Sequence, residues 1–353
     1  MPTVPAATSI NLASDNVTGC CPAVRAALDA AAEGTAPSYA ADPWTARAEA
    51  ALRETFAAPD LRAFLVTSGT AANALALALL TPPFGSVLCH ADSHINADEA
   101  GAPEFYTGGA KLLPVAGPTG KLTPDACAAV YAHATARGVH RAPPSVLSLT
   151  QATEVGTLYQ PKEIAALAAF ARERGMAVHM DGARLANAVA ALGLPPADVT
   201  WRAGVDVLSF GATKNGAWAC EAVVVFDPAR VPALDALERR RMRGGHLLSK
   251  GRFLGAQMVA YLEDGLWLAN AAHANAMAAR LGDGLARLGH PPVLPVQANA
   301  VFAALPAPVR RRLSDASIIA APWTDLGPDT LRFVCAFDTP PEVIDRVLEV
   351  VAG

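Results

Sequence analysis

The chain has 353 residues, of which 52% are hydrophobic and 17% charged, and its formal net charge at pH 7 is −4. This length predicts a large core and two domains, and the lack of a basic surplus argues against a nucleic-acid partner. No apolar run reaches the length that spans a membrane, and the N-terminus lacks the basic and apolar regions of a secretory signal.

Residues 1–45 are predicted to form an N-terminal arm with one helix, and a series of short apolar runs follows. The predicted strands are Ala63–Thr67, Val87–His90, Lys111–Val115, Val146–Leu149, Ala177–Met180, Val207–Phe210 and Ala222–Phe226. Predicted helices lie between many of them, over Ala71–Leu80, Pro124–Arg137, Pro161–Arg174 and Leu185–Leu192. Because the strands show little polar alternation, they are typical of a sheet buried on both faces. We therefore predict an α/β fold whose large domain, residues 46–244, holds a mostly parallel seven-stranded sheet between helices.

The sequence changes character after Phe226. A basic helix is predicted over Val231–Met242, a long helical segment over roughly Gly251–Leu281, and a few strands with a terminal helix over Leu294–Val350. We therefore expect a domain boundary near Gly244 and a smaller C-terminal α+β domain over residues 245–353.

The segment Thr67-Ser68-Gly69-Thr70-Ala71-Ala72-Asn73 follows a predicted strand and opens an alanine-rich helix. Free backbone amides, hydroxyl groups and a glycine at a helix start can bind a phosphate; a plain N-cap is the alternative. The segment is not a P-loop, because no Gly-Lys-Ser/Thr follows it, and the chain has no Gly-x-Gly-x-x-Gly for a dinucleotide.

An acid and a lysine follow two predicted strands, where ligands gather in open sheets. Asp181 stands in Asp181-Gly182-Ala183-Arg184, and Lys214 ends the turn after the strand Val207–Phe210. A pyridoxal phosphate (PLP) enzyme needs such a pair, since the amine binds the cofactor's aldehyde and the acid keeps the ring nitrogen protonated. The alternatives are a salt bridge or N-cap for Asp181 and a solvated loop position for Lys214, whose nearly uncharged flanks favour burial.

Three further polar residues stand next to predicted strands or within them. His94 is either a capping or surface histidine or an imidazole stacked over a cofactor ring. His140 precedes the fourth predicted strand and carries only a weak signal. Arg332 lies in the apolar run Thr330-Leu331-Arg332-Phe333, where a guanidinium binds either an internal carboxylate or that of a substrate.

In their order and spacing, these residues resemble the L-threonine aldolases, within the aspartate-aminotransferase-like PLP enzymes of fold type I. The resemblance covers nearly the whole chain and rests on Ser14-Asp15-Asn16-Val17-Thr18, Tyr39 with Asp42-Pro43, Ser68–Asn73, His94, Asp181–Arg184, Thr213-Lys214 and Leu331-Arg332. It implies a PLP enzyme that cleaves β-hydroxy-α-amino acids to glycine and an aldehyde by a retro-aldol reaction.

The resemblance also implies roles for single residues. Lys214 would bind the aldehyde, Asp181 would pair with the pyridine nitrogen, and Arg184 would lie near the ring hydroxyl. The phosphate would be bound by Ser68, Gly69, Thr70 and Thr213, and the ring would stack against His94.

Other residues would contact the substrate. Its carboxylate would be held by Ser14 and Arg332, and further substrate-binding candidates are Thr153 and Tyr39. His140 would approach the β-hydroxyl group. Either His94 or His140 would then be the base that removes the hydroxyl proton, and the residues alone do not choose between them.

The sequence departs from the resemblance in Leu149-Thr150-Gln151-Ala152-Thr153-Glu154-Val155-Gly156. Family members often have Leu-Glu-Asn-Thr-His-Asn-Gly there, so an acid and a histidine are absent from their usual places. A subgroup that acts on phenylserine-type substrates has a similar run. We therefore expect an altered side-chain pocket that accepts aryl substituents in addition to those of L-threonine and L-allo-threonine.

The resemblance implies a homo-oligomer, a tetramer or dimer with shared active sites, for which Arg241, Tyr39 and Lys250 are candidate cross-subunit contacts. Six scattered cysteines without CxxC or Cys/His spacing indicate free thiols in a reducing cytoplasm and no metal site. Because cofactor residues are shared across the fold, a β-eliminating lyase or an aminotransferase is an alternative. A catalytically inactive binding protein is the alternative from another class.

Overall fold

A computed structural model describes residues 9–231 and 234–353 of the chain. The strands in the described residues are β1 (Ile10–Asn11), β2 (Arg62–Val66), β3 (Ser86–His90), β4 (Lys111–Val115), β5 (Pro144–Thr150), β6 (Ala177–Gly182), β7 (Val207–Gly211), β8 (Glu221–Val225), β9 (Ala300–Ala304), β10 (Ile318–Ile319), β11 (Ala321–Pro322) and β12 (Thr330–Val334). The α-helices are α1 (Pro22–Ala32), α2 (Pro43–Thr55), α3 (Gly69–Leu80), α4 (His94–Ala97), α5 (Ala102–Thr107), α6 (Pro124–Thr135), α7 (Pro161–Arg172), α8 (Leu185–Leu192), α9 (Leu234–Arg243), α10 (Arg252–Leu262), α11 (Leu266–Arg287), α12 (Ala307–Asp315) and α13 (Pro341–Ala352).

The central sheet has seven strands in the order β2-β8-β7-β6-β5-β3-β4. Strands β4, β3, β5, β6 and β7 run parallel, whereas β8 is antiparallel to both β7 and β2. Strands β3, β7 and β8 are buried along their whole length, in agreement with their continuous apolar sequences. The predicted α/β fold with a mostly parallel seven-stranded sheet is confirmed.

Helix α3 covers one face of this sheet and brings the segment after β2 to the sheet's edge. Ser68 caps the helix, and the run of Ala and Leu residues that follows is almost entirely buried. Its residues Ala71 and Leu75 pack with Val207 of β7 and Val223 of β8. The opposite face packs against α2, α7, α8 and α10 in the largest hydrophobic core.

The C-terminal part of the chain forms its own core around the antiparallel sheet β11-β12-β9. The N-terminal strand β1 belongs with this part, because it pairs in parallel with β10. Leu12, directly after β1, is buried with Phe333 of β12 and Val347 of α13. This pairing carries Ser14 and Asp15 towards the ends of the central strands.

The predicted long helix over Gly251–Leu281 is wrong in one respect, because two helices occupy it. Helix α10 ends at Leu262 and α11 begins at Leu266. Between them Asp264 has φ 52° and Gly265 has φ 70°, and this left-handed conformation interrupts helical hydrogen bonding. None of the helices in the described residues is long and apolar enough to cross a bilayer.

Candidate active site

The carboxyl ends of the parallel strands β5, β6 and β7 border a cavity of about 390 Å³, its open mouth included. Thr150 and Asp181 are register partners at the ends of β5 and β6, and Asp181 in turn pairs with Ser209 of β7. Lys214 follows β7 in the 3-10 turn Thr213–Asn215. Because parallel strands end at one edge of the sheet, the acid and the lysine reach the same cavity.

The turn that carries Lys214 is anchored by its neighbour Asn215. The buried Asn215 donates from Nδ2 to the hydroxyl of Tyr261 and to the carbonyl of Trp267, both at 2.8 Å. Burial lowers the pKa of the Lys214 ammonium, and the positive charge of Arg184 lowers it further. A lysine with a lowered pKa presents more of its neutral amine, which is the nucleophilic form.

Asp181 is only 4% exposed and is held by neutral donors. Its carboxylate accepts hydrogen bonds from Nδ2 of Asn73 at 2.8 Å and from the backbone N–H of Ala183 at 3.0 Å. Among the residues that the structure describes, it has no salt-bridge partner. A buried acid without a cation, on the wall of a cavity, fits a ligand with a cationic N–H group.

His94 is oriented by a second buried acid, Glu99. Nδ1 of His94 lies 2.8 Å from Oε1 of Glu99, and Nδ2 of Asn73 donates to the same oxygen at 2.8 Å. The hydrogen bond with Glu99 raises the pKa of His94, and the charge of Asp181 adds to this increase against the opposing effect of burial. Since Nδ1 is engaged with Glu99, Nε2 is the ring nitrogen available to a ligand.

Glu154 also lines the cavity. Its Oε1 accepts hydrogen bonds from the backbone N–H of His94 at 2.9 Å and from Oγ1 of Thr150 at 3.1 Å. Its Oε2 is buried and has no hydrogen-bond partner within the described ranges. Burial raises the pKa of Glu154 to about 7, and the negative charge of Asp181 contributes.

Arg184 joins the N-terminal segment to the sheet through a bidentate salt bridge with Asp15. Nε of Arg184 lies 2.7 Å from Oδ2 of Asp15, and Nη2 lies 2.8 Å from Oδ1. Asp15 is 1% exposed and also accepts a hydrogen bond from Nδ2 of Asn299 at 3.1 Å. Burial alone would raise the pKa of Asp15, but the charge and hydrogen bonds of Arg184 outweigh it and hold that pKa below its ordinary value. The planar pair thereby fixes the guanidinium in the cavity wall.

Arg332 lies on β12 beside the segment that carries Ser14. Its Nη2 donates to the carbonyl of Ala13 at 2.9 Å, and its guanidinium lies 4.6 Å from the centre of the Trp323 ring. Its Nε is buried and has no hydrogen-bond partner in the described residues. The hydroxyl of Ser14 accepts the N–H of Asn16 at 3.1 Å. A partly buried guanidinium with an unsatisfied Nε–H donor fits a carboxylate ligand.

The start of α3 presents a helix N-terminus to the cavity. Oγ of Ser68 accepts a hydrogen bond from the backbone three residues later at 3.2 Å, and Gly69 and Thr70 form the first turn. A side chain at Gly69 would meet open space among the described residues. The first N–H groups of a helix lack helical acceptors and attract anions. The hydroxyl of Thr213 accepts the N–H of Cys220 at 3.0 Å and stabilises the turn before Lys214.

These groups fit PLP. A helix start suited to a phosphate, an amine of lowered pKa and a buried acid without a cation surround one cavity. The unsatisfied atoms Oε2 of Glu154 and Nε of Arg332 lie on polar groups that a bound cofactor or substrate would complete.

Some predicted site residues do not reach the cavity. His140 is exposed at the end of the 3-10 turn before β5, at the opposite edge of the sheet. Thr153 is 1% exposed, and its Oγ1 lies 2.8 Å from Oγ1 of Thr157 within its own loop. A single chain therefore does not bring His140 or Thr153 to the cavity, and their substrate contacts stay predictions. Tyr39 is half exposed on the surface, outside the cavity.

The candidate cross-subunit contacts differ in exposure. Arg241 is 3% exposed, and it donates to the carbonyl of Leu65 at 2.9 Å and to Glu238 at 2.8 Å. Arg241 is thus mostly bonded within its own chain, although its Nε is buried without a hydrogen-bond partner in the described residues, and its cross-subunit role stays a prediction. Tyr39 and Lys250 are exposed.

Four residues that shape the site, Asp15, Asn73, Glu99 and Glu154, had no role predicted from the sequence. Asp15 and Asn73 lie in Ser14–Thr18 and Ser68–Asn73, two segments on which the resemblance rests. Their carboxylate and amide groups could therefore have been predicted as site groups. Glu99 follows His94 by five positions and carries no signal of its own.

The chain is similar to known proteins along most of its length. The family described as "Beta-eliminating lyase" matches residues 11–307. The chain is 43% identical over 335 residues to a low specificity L-threonine aldolase of Pseudomonas sp. (strain NCIMB 10558), covering 94% of each chain. It is also 43% identical over 342 residues to one of Pseudomonas aeruginosa, covering 96% of this chain and 94% of the relative.

Solved structures are also similar along most of the chain. The threonine aldolase of Leishmania major superimposes with a TM-score of 0.90 at 27% identity, covering 97% of this chain and 98% of the other. The aspartate aminotransferase of Thermus thermophilus superimposes with a TM-score of 0.69 at 17% identity, covering 98% and 91%, which is a likeness of fold alone.

Proposed function

The chain belongs to the β-eliminating lyase family and to the low-specificity L-threonine aldolases, and from this membership we propose that it cleaves L-threonine, L-allo-threonine and related β-hydroxy-α-amino acids to glycine and an aldehyde. It is a carbon–carbon lyase. The observation that carries the proposal is the pair of Lys214 and Asp181 at the ends of adjacent strands, in a chain with relatives at 43% identity. Incubation with L-threonine should release glycine and acetaldehyde in equal amounts, and release of ammonia with a keto acid instead would contradict it.

The proposed cofactor is PLP. Lys214 would bind its aldehyde, Asp181 its ring nitrogen, and Ser68, Gly69, Thr70 and Thr213 its phosphate; Arg184 would lie near the ring hydroxyl and His94 against the ring. When bound, the cofactor supplies an electron sink for the electrons of the cleaved Cα–Cβ bond. Asp181 would contribute by keeping the ring nitrogen protonated, because its buried carboxylate has only neutral donors around it.

Arg332 and Ser14 would orient the amino-acid substrate. The unsatisfied Nε of Arg332 supports a role in binding the carboxylate, and the Asp15–Arg184 pair holds the neighbouring segment in place. A carboxylate held at a fixed point restricts rotation of the substrate about its bond to the amine. The bond to be broken is thereby held in a productive direction.

His94 would accept the proton of the β-hydroxyl group at Nε2. Glu99 supports this role, because its hydrogen bond to Nδ1 fixes the ring and stabilises the positive charge that the imidazole gains. His94 lines the cavity, whereas His140 lies in the turn before β5, and this supports His94 as the base.

The proposed substrate range includes aryl substituents such as that of phenylserine. The residue Ala152, which lines the cavity, has a small side chain that supports this extension. Glycine release should be measured for threonine, allo-threonine and phenylserine, each as both enantiomers. A phenylserine rate more than about a hundredfold below the threonine rate, the scale of strong steric discrimination, would contradict the aryl pocket.

The description of the matching family favours one second candidate, a β-eliminating reaction on an amino acid with a leaving group at Cβ. The same lysine and acid would serve it, because both reactions draw electrons into the cofactor. Release of ammonia and pyruvate from L-serine faster than glycine from L-threonine would favour this candidate.

We also propose a homo-oligomer, a tetramer or dimer, in the cytoplasm. Phe105 is 80% exposed, Met242 is 56% exposed and Tyr39 is 50% exposed, and such apolar surface supports association. All six cysteines are free, in keeping with a reducing compartment. Light scattering coupled to gel filtration would contradict the assembly if it gave the monomer mass at micromolar concentration.

A further inference from the structure

One acid that lines the cavity, Glu154, forms no salt bridge with the cations around it in the described residues. Two acids have cationic partners, namely Asp15 with Arg184 and Glu99 with His94. Asp181 has amide donors and faces the place proposed for the ring nitrogen. Glu154 forms no salt bridge in the part of the chain that the structure describes and has no proposed role so far. Its pKa of about 7 means that much of it carries a proton at neutral pH.

The hydrogen bonds of Glu154 show which oxygen carries that proton. Oε1 accepts from the N–H of His94 and from the hydroxyl of Thr150, so both donors use the same oxygen. The other oxygen, Oε2, is buried without a hydrogen-bond partner in the described residues. In a carboxylic acid with one oxygen doubly occupied as acceptor, the second oxygen bears the hydrogen and acts as a donor.

We propose that Glu154 is a further cofactor-binding residue, which donates its Oε2–H to an oxygen acceptor of the bound ligand. This inference rests on the proposed PLP function. Lys214 would take the cofactor's aldehyde, the start of α3 its phosphate and Asp181 its ring nitrogen. The ring hydroxyl oxygen, near which Arg184 would also lie, is then the acceptor for Glu154. The carboxylate or hydroxyl of the amino-acid substrate offers the same acceptor chemistry, and the experiment below separates the two sources.

The surroundings of Glu154 determine the sign of the pH effect. Charged or titratable groups reach it from several elements, namely His94 of α4, Cys89 of β3, Tyr159 after β5, Asp181 of β6 and Arg184 before α8. Loss of the proton removes the donor and places a second negative charge beside Asp181. Cofactor affinity should therefore decrease as the pH rises through about 7, the pKa of Glu154.

The test is the dissociation constant of PLP for the cofactor-free protein, measured by fluorescence quenching from about pH 6 to about pH 8.5. Glu154→Gln keeps the acceptor oxygen and replaces Oε2–H with a permanent N–H donor. Glu154→Leu removes both. Glu104→Gln is the matched control, because Oε2 of Glu104 is also buried without a hydrogen-bond partner in the described residues, but Glu104 does not line the cavity. Circular dichroism and thermal unfolding check that each variant folds.

We expect wild-type affinity to weaken about tenfold across this range, as for loss of one hydrogen bond to a charged group. Glu154→Gln should keep the affinity of the low-pH form and lose this dependence. Glu154→Leu should bind about tenfold more weakly at low pH, and Glu104→Gln should keep the wild-type dependence. A Glu154→Gln profile that still follows the wild type would overturn the inference.

A second titration identifies the source of the acceptor. Glycine binding to the PLP-loaded proteins should respond to pH equally in wild type and Glu154→Gln. If only the glycine titration distinguishes them, the acceptor belongs to the substrate and the assignment to the cofactor is overturned. If the wild-type protein binds no PLP at any pH, the proposed function itself fails, whatever Glu154 does.

Discussion

The salt bridge between Asp15 and Arg184 connects the N-terminal segment to the central sheet, and the substitution Asp15→Asn tests its contribution. Asp15 is 1% exposed, and its two oxygens lie 2.7 and 2.8 Å from Nε and Nη2 of Arg184. The substitution keeps the size of the side chain and removes its charge. Arg184 then remains as a mostly buried cation with no carboxylate partner.

The expected loss follows from burial. Breaking one side of a buried ion pair costs about 3–5 kcal/mol, because the remaining charge is uncompensated. The introduced amide still accepts one hydrogen bond, and 18% of the Arg184 side chain is exposed, so we expect the lower limit, about 3 kcal/mol. The exposed pair Arg280–Asp345, whose side chains are 46% and 47% exposed, is also bidentate and is the matched control. Asp345→Asn should cost less than about 1 kcal/mol.

Thermal unfolding of the cofactor-free proteins at one protein concentration measures the difference without the contribution of bound ligand. Asp15→Asn should lower the melting temperature by roughly 3 °C more than Asp345→Asn, because a chain of this length has a large entropy of unfolding. The pKa of Asp15 is held below its ordinary value, so its stabilisation is present above about pH 4 and decreases only as the pH falls through that lowered pKa. Equal melting temperatures for the two variants at neutral pH would refute the reasoning.

The remaining predictions concern turnover. Asp181→Asn should lower it by about a hundredfold or more with PLP saturating, and an unchanged rate would remove Asp181 from the mechanism. His94→Ala should lose most activity while His140→Ala stays near the wild-type rate, and the opposite ranking would exchange their roles. The wild-type rate should rise with pH through the raised pKa of His94, because the neutral imidazole is the base. Glu99→Gln should move that rise to lower pH, and an unshifted pH–rate profile would disprove the influence of Glu99 on His94.

The elements of the central sheet could be predicted because their signals are local. The strand Lys111–Val115 and the helix Leu185–Leu192 have the bounds expected from their apolar runs. The interruption at Asp264–Gly265 was missed because helical sequence continues on both sides of it. An Asp-Gly sequence occurs within helices as well as at their ends, and only the packing of the two helices decides whether it takes the left-handed conformation that ends one.

Lys214 and Asp181 could be found because Asp181 lies near the carboxyl end of its strand and Lys214 in the turn after the next strand, and strand ends of a parallel sheet meet. His140 precedes its strand, so the same rule places it at the opposite edge of the sheet, although the resemblance assigned it to the substrate. Glu154 was harder to assign, because its partner His94 is 60 positions away in the sequence. A single sequence shows no such tertiary pairing.

The central claim is that Lys214 holds PLP through a covalent carbon–nitrogen linkage. Reduction of the PLP-loaded protein with borohydride makes this linkage permanent, and peptide mapping then locates the pyridoxyl label. The account predicts the label on the peptide that contains Lys214 and its absence from a Lys214→Ala variant. A label on another lysine, or no label in the wild-type protein, would contradict it.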